Sequence, residues 1–308
     1  MSRRKRQQNR ARAAGAASPR PAPTQRDSKG RVHLTLQRDP RTGHESIALD
    51  GPLFREPWQD ELSVGTANTA RALLGETPNV ERAVELARTA MAATSRLGEA
   101  LLSRAPAGAV ACQAGCDHCC YQPVGLTPPE ALAIAAHLRQ TLTPEALLVL
   151  AARLAERVRE TRGLSSAERF SPDHPCPFLA RGQCSIYEVR PLACRGMNSL
   201  DAEECKSRLR DPAARAAFLE RGSGGRSFME PIRAFHAISA GLQLSLSELY
   251  GLDMRPLELS LALDSLLNGP ESSPGEWLNG LRPFEAALGG NNALPELGGV
   301  LDSARTLK

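Results

Sequence analysis

Aromatic side chains make up only 4% of this 308-residue chain, as two Trp, three Tyr and seven Phe. A core of that composition cannot rest on large rings. The 42% apolar content is carried by Ala and Leu instead, which favours helices packed closely through small side chains over an aromatic-rich sheet. No run of eighteen apolar residues occurs, so a membrane-spanning helix is not expected. The start, Met1-Ser2-Arg3-Arg4-Lys5-Arg6, leads into no Leu-rich segment, which argues against a secretory signal. Internal repeats and the Gly-rich phosphate loops of Rossmann and Walker folds are also missing, so neither a repeat array nor those nucleotide sites are expected.

The formal charge of +4 is unevenly spread. Residues 1–31 hold ten Arg or Lys against Asp27, leaving 28 basic and 33 acidic groups in the rest. Such a tail has too little apolar surface to offset its ordering entropy and is expected to be disordered. Its charge would attract nucleic acid or anionic lipid weakly and non-specifically, an effect that salt erases. Four regions are expected: the tail at 1–31, a helical region at 32–109, a cysteine-cluster metal-binding domain at 110–210 and a helical region at 211–308.

Along the chain, Val32 to Leu36 reads as extended and 50–58 as turn-rich. A helix follows from about 61 to 74. Asn79 then caps a longer one whose stripe runs Val80, Val84, Ala87, Met91, Thr94, Leu97 and Leu101, with Met91 as core filling. Thr127-Pro128-Pro129-Glu130 is a capping-box start, which makes Glu130 a cap rather than a ligand. A second helix runs from Thr143 to about 161, and the two are expected to lie antiparallel. Residues 163–210 lose all helical periodicity and carry breaks at Pro172, Pro175, Pro177, Gly182, Pro191 and Gly196, so a metal is expected to substitute for a missing core there. Further helices are expected at 212–220, 228–242, 247–250, 256–267 and 276–288, with flexible joints at 222–225 and 289–292. The expected fold class is mainly α, an irregular helical domain organised around a cysteine-ligated metal or iron–sulfur site.

All eight cysteines fall between positions 112 and 205, and Cys112, Cys116, Cys119 and Cys120 fall within nine residues. A cytoplasmic location is the expectation, and reducing conditions there favour metal ligation over disulfides. Thiolates suit zinc, copper(I) or iron–sulfur clusters, whereas magnesium and calcium want oxygen. The candidate metal ligands are therefore Cys112, Cys116, Cys119, Cys120, Cys176, Cys184, Cys194 and Cys205. Eight donors fill two four-ligand sites, or one site with spares, or a binuclear centre with bridging thiolates. If 110–121 is helical, the first four thiols share one face; adjacent Cys119 and Cys120 still diverge by about 100° there, which favours two metals or a larger cluster over one zinc.

His118 and His174 lie beside cysteines as alternative ligands or hydrogen-bond donors to them. Arg190 and Arg195 flank Cys194 and can offset thiolate charge. Tyr187 is expected to pack over the site with Ile186. The spacing lacks a second Cys-x-x-Cys knuckle and the ferredoxin pattern. Cys112-x3-Cys116-x2-Cys119 matches the spacing of radical S-adenosylmethionine proteins, but it follows a long helix and lacks their alternating strands, so the match is read as coincidence.

Cys112-x3-Cys116-x2-Cys119-Cys120, Cys176-Pro177-Phe178-Leu179, Cys184-Ser185-Ile186-Tyr187 and Arg190-Pro191-x2-Cys194-Arg195 together resemble the YkgJ-like cysteine-cluster family of zinc- or iron-chelating proteins. The resemblance covers about 110–205, implies metal binding by the first seven cysteines, and leaves Cys205 just beyond the shared motif. The flagellin lysine N-methylase is similar in this module, which implies S-adenosylmethionine-dependent protein methylation as an alternative. A metal-binding protein of unknown reaction stands first, holding zinc or an iron or iron–sulfur centre. A protein-modifying enzyme and a metal-stabilised interaction protein follow. No catalytic residue is singled out.

Overall fold

The computed structural model describes residues 32–43, 45–220 and 226–288. The basic tail lies outside these residues, as do the glycine-rich joints at 222–225 and 289–292. Mainly helical structure is observed, as expected. The chain begins with a hairpin in which β1 (Leu34–Arg38) pairs antiparallel with β2 (Glu45–Leu49), Leu36 standing opposite Ile47. The second strand escaped the sequence reading because Ile47 is its one β-branched residue. Two long helices follow, α1 (Pro57–Leu74) and α2 (Val80–Leu102), and the Asn79 side chain accepts the Arg82 N–H at 2.8 Å to start the latter. Met91 is buried in the core, as read.

After the first cysteines come α3 (Pro128–Thr141) and α4 (Pro144–Thr161). The two-residue strand β3 (Gly125–Leu126) directly precedes α3. Beyond α4 lie α5 (Ser166–Arg169), the hairpin β4 (Leu179–Ala180) and β5 (Gln183–Cys184), and the short helices α6 (Leu192–Gly196), α7 (Ala202–Arg210) and α8 (Pro212–Glu220). The C-terminal part holds α9 (Met229–Tyr250), β6 (Leu257–Glu258), α10 (Leu259–Asn268) and α11 (Ser273–Leu278).

Small side chains set the packing. Helix α9 lies along α1, where Gly241 comes so close that an added Cβ would stand 2.4 Å from the Ser63 carbonyl oxygen. The Ser63 hydroxyl donates across the same interface to the Ala237 carbonyl at 2.9 Å. Helix α2 packs on α3 and α9, while α10 packs on α3 and α4. Helix α4 thus rests chiefly on α10 rather than on its chain neighbour α3. Strand β3 pairs with β6, tying the start of α3 to the start of α10.

Three expectations need correction here. Helix α9 runs through the break expected near 243–246, because the Ser245 and Ser247 hydroxyls bond back to the Leu242 and Gln243 carbonyls instead of capping a new helix. The last expected helix is split into α11 and a 3₁₀ turn at Glu285–Ala287, separated by Gly280 at φ 78 and by Pro283. Residues 163–210 do possess a core: Phe178, Ile186, Val189 and Leu192 join the main apolar cluster around Leu86, Ile134 and Ile238. Single apolar residues spaced without period are each pinned by neighbouring helices, which periodicity cannot show. Among the described residues no helix is long and apolar enough to cross a membrane.

Two predictions follow from this packing. Gly241→Ala drives a methyl group into an immobile backbone oxygen and should destabilise the protein by about 1–3 kcal/mol, read as a lower urea midpoint. His236 is enclosed against Phe235, with ring centroids 4.8 Å apart, and burial lowers its pKa from 6.5 to about 4. Between those values the unfolded chain takes up a proton that the folded chain refuses, so stability should fall by about 1.4 kcal/mol per pH unit below 6.5. Thermal melts from pH 7 to pH 4.5 should show this slope, and His236→Phe should flatten it.

Candidate metal centre

The first four cysteines sit on a turn, not on a helix. Gly115 adopts φ 86, which ends any regular helix there, and the Cys116 N–H closes a turn onto the Gln113 carbonyl at 3.0 Å. A single 3₁₀ turn, His118–Tyr121, then places Cys119 and Cys120, with the Cys120 N–H bonded to the Asp117 carbonyl at 2.8 Å. The expected one-faced helix is therefore not formed. In so short a turn side-chain rotamers rather than a continuous helix axis decide the directions of the adjacent Cys119 and Cys120 thiols.

The second group of cysteines is brought to this turn by hydrogen bonds of the main chain. The Cys176 N–H donates to the Cys120 carbonyl at 2.7 Å. The β4–β5 turn has positive φ at both Arg181 (52°) and Gly182 (75°), the mirror-image geometry that matches strand twist, and its tip abuts Gly115. It presents Cys184, α6 presents Cys194, and α7 presents Cys205 one turn beyond its Asp201 cap. Helix α7 packs against the His118–Tyr121 turn, so Cys205 does join the cluster. All eight cysteines are free.

The thiols influence one another in two sets. Burial raises the Cys112 thiol, and the Cys116, Cys119 and Cys205 sulfurs add to it, while the Ser199 N–H at 3.3 Å opposes the rise. Cys205 is raised by burial and by Cys116 and Cys119, while the nearby Ser199 side chain and Arg208 work against the rise. In the other set, burial pushes Cys176 up to about 11 and raises Cys194 well beyond its ordinary value, the latter with help from Cys176, Cys119 and Cys184. Cys184 is raised by burial, with Cys119 contributing. Cys119 belongs to both sets; its own thiol is driven up first by the Cys120 hydrogen bond and then by burial, although part of the residue reaches solvent.

Positive charge and amide dipoles are aimed at these sulfurs. The Phe178 N–H points at Cys176 and the Ile186 N–H at Cys184, each two residues ahead of its thiol. Arg190 favours the thiolate forms of Cys119, Cys184 and Cys194, and Arg195 that of Cys184. Arg195 is itself held by the Arg190 carbonyl at 2.8 Å, by Ser95 of α2 and by the Glu188 carbonyl. Tyr187 does not pack over the thiols with Ile186. It is 61% exposed and carries the Arg190 guanidinium on its ring at 4.0 Å, while Ile186 turns inward to the core.

The two histidines have other partners. His118 lies 3.7 Å from the Asp117 carboxylate, and His174 faces Arg157 at 3.4 Å. Burial, Arg169 and Arg157 lower the His174 pKa. Glu130 is confirmed as a cap: it accepts the N–H and hydroxyl of Thr127, both at 2.8 Å. Its other oxygen accepts the Leu192 N–H at 2.8 Å, so the same buried carboxylate also fixes the start of the helix that carries Cys194. Sequence reasoning missed Ser199, whose N–H donates to the Cys112 sulfur, and the buried Arg169 and partly buried Glu258, whose charges act on Cys176. Nothing in a lone Ser or Arg, or in a Glu at a helix start, marks such a role in advance.

Among the described residues no three His, Cys, Asp or Glu side chains stand in closed ligand geometry. The donor chemistry nonetheless fits a thiophilic metal, because free sulfurs are gathered under amide N–H and guanidinium groups that favour their anionic forms. Residues 111–210 match a family model, CxxCxxCC, described as "Putative zinc- or iron-chelating domain". That segment is similar to the CxxCxxCC family. It makes up about a third of the chain and takes in all eight cysteines, Cys205 included. No curated protein and no solved structure matches the chain.

Within residues 111–210, the Glu130 bridge yields a test. Glu130→Ala leaves the Thr127 and Leu192 N–H groups buried without an acceptor and should cost about 3 kcal/mol in urea unfolding. Glu130→Gln keeps an acceptor oxygen and should cost less.

Proposed function

We propose that this is a metal-binding protein that retains zinc or iron through cysteine thiolates. The observation that carries this reading is the match of residues 111–210 to a zinc- or iron-chelating family, joined to free thiols of which Cys184 and Cys194 have the Arg190 guanidinium near them. When bound, the metal would supply cross-linking between the 112–120 turn and the 176–205 segment. The chain's own part is to deliver sulfurs from four separate local structures and to offset their charge through Arg190 and Arg195. A cavity of about 370 Å³ among the described residues lies outside the cysteine segment, lined by Gln243, Ser247, Asp253, Arg255 and Arg282 together with their neighbours. Eight unpaired thiols suit a reducing compartment such as the cytoplasm.

Anaerobic purification followed by elemental analysis and absorption spectroscopy tests the proposal. At least one equivalent of zinc or iron per chain is expected. Zinc without a visible chromophore excludes an iron–sulfur centre, and absorption between 300 and 500 nm with matching iron (about 4 per chain for one cubane) establishes one. A chain that holds neither metal after anaerobic isolation or reconstitution overturns the reading.

A further inference from the structure

We infer that the cavity between the end of α9 and the turn carrying Arg282 binds a free α-amino acid with an apolar side chain, its carboxylate meeting Arg282 and its ammonium group meeting Gln243 and the carbonyl end of α9. The site lies outside the cysteine segment and needs no metal.

The space of about 370 Å³ falls within the range of small-molecule sites, and the buried Leu252 and Met254 give it an apolar lining. Gln243, also in that lining, is 5% exposed, yet only its Nε2 is engaged, donating to the Ser239 hydroxyl at 2.9 Å. Among the described residues its Oε1 accepts no hydrogen bond, and an enclosed carboxamide oxygen beside a cavity calls for a donor from a ligand. The end of α9 adds negative potential. Its cap Gly251 adopts φ 68, and the Gly251 and Leu252 N–H groups, each at 3.1 Å, satisfy the Ser247 and Leu246 carbonyls but not those of the turn beyond. A cation is favoured at such an end. Gly280, at φ 78, brings the turn that carries Arg282 to this place: a Cβ on it would stand 3.6 Å from the Gly251 carbonyl oxygen. The charges around the cavity balance. Arg255 is gripped by Asp253 at 2.7 Å and by Glu285 at 3.0 Å, whereas the exposed Arg282 acts on both carboxylates without an ion pair to either among the described residues. Two guanidinium groups against two carboxylates leave the wall neutral, so a ligand of net charge gains little there, while a zwitterion satisfies Arg282 and the α9 end together.

Calorimetric titration of the full-length protein with L-leucine, L-methionine and L-phenylalanine tests the site. At least one of them should bind with a Kd of about 1 mM or tighter. Its amide and its deaminated acid, which for leucine are L-leucinamide and 4-methylpentanoate, should each bind about tenfold more weakly, because each leaves one end of the site unpaired. Arg282→Gln should weaken the amino acid by about the same factor and leave the amide unchanged. Gln243→Leu should weaken the amino acid and leave the deaminated acid unchanged, with circular dichroism confirming that the variant is folded. If Gln243→Leu does not fold, the exposed Arg282→Gln and the two analogues still decide the matter. No binding of any of the three amino acids, equal affinity for amino acid and amide, or parental affinity in Arg282→Gln overturns the inference.

Discussion

A carboxylate with no access to water has to find hydrogen bonds inside the protein, and Glu130 finds three. Two come from Thr127 at the start of α3, in the core of the molecule, and the third from Leu192 at the start of α6. Burial raises its pKa, and these donors together with Arg195 work against the rise. Everything downstream leans on this junction. Because α6 is anchored to α3, Cys194 is held on the core side, Arg195 reaches Ser95 of α2, and Arg190 is directed toward the thiols. A five-residue helix has no stability of its own, so without the carboxylate its position would be undefined.

A second set of polar contacts holds the loop before Cys176. Arg153 and Arg157 of α4 donate to the carbonyls of Pro177 and Asp173, and the buried Arg169 donates to that of His174. Guanidinium groups thus replace the missing helix or sheet partners of a proline-rich stretch. Desolvation lowers the Arg169 pKa, and Glu258 and Cys176 counter it. The charge balance around the inner thiols therefore includes the start of α10, far along the chain, as well as the flanking Arg190 and Arg195.

Local chemistry was legible where one residue type has one strong preference. Asn79 and the Thr127–Glu130 box stop and start helices wherever they occur, and Met91 on an apolar stripe has only the core to fill. The clustering of cysteines, together with the flanking motif, was enough to anticipate a zinc- or iron-chelating domain. Legibility failed wherever a partner came from elsewhere. Phe178, Ile186 and Leu192 have no shared period, so the burial of 163–210 could not be read, and the Ser245 and Ser247 hydroxyls look like caps until α9 is seen to continue through them.

What the sequence by itself determined is a set of candidate donors: eight soft sulfurs within one segment, the helices that flank them, and the basic residues beside Cys194. Only the tertiary structure decided how those sulfurs are arranged. Gly115 and the one-turn 3₁₀ segment took the place of the single helical face expected for the first four cysteines. The packing of α7 against the His118–Tyr121 turn brought Cys205 toward the first cysteines, and the Ser199 N–H reached the Cys112 sulfur across 87 residues of chain. The physical reason is that coordination chemistry depends on residue type, which is local, whereas proximity and enclosure depend on hydrogen bonds and packing between segments that are distant in sequence.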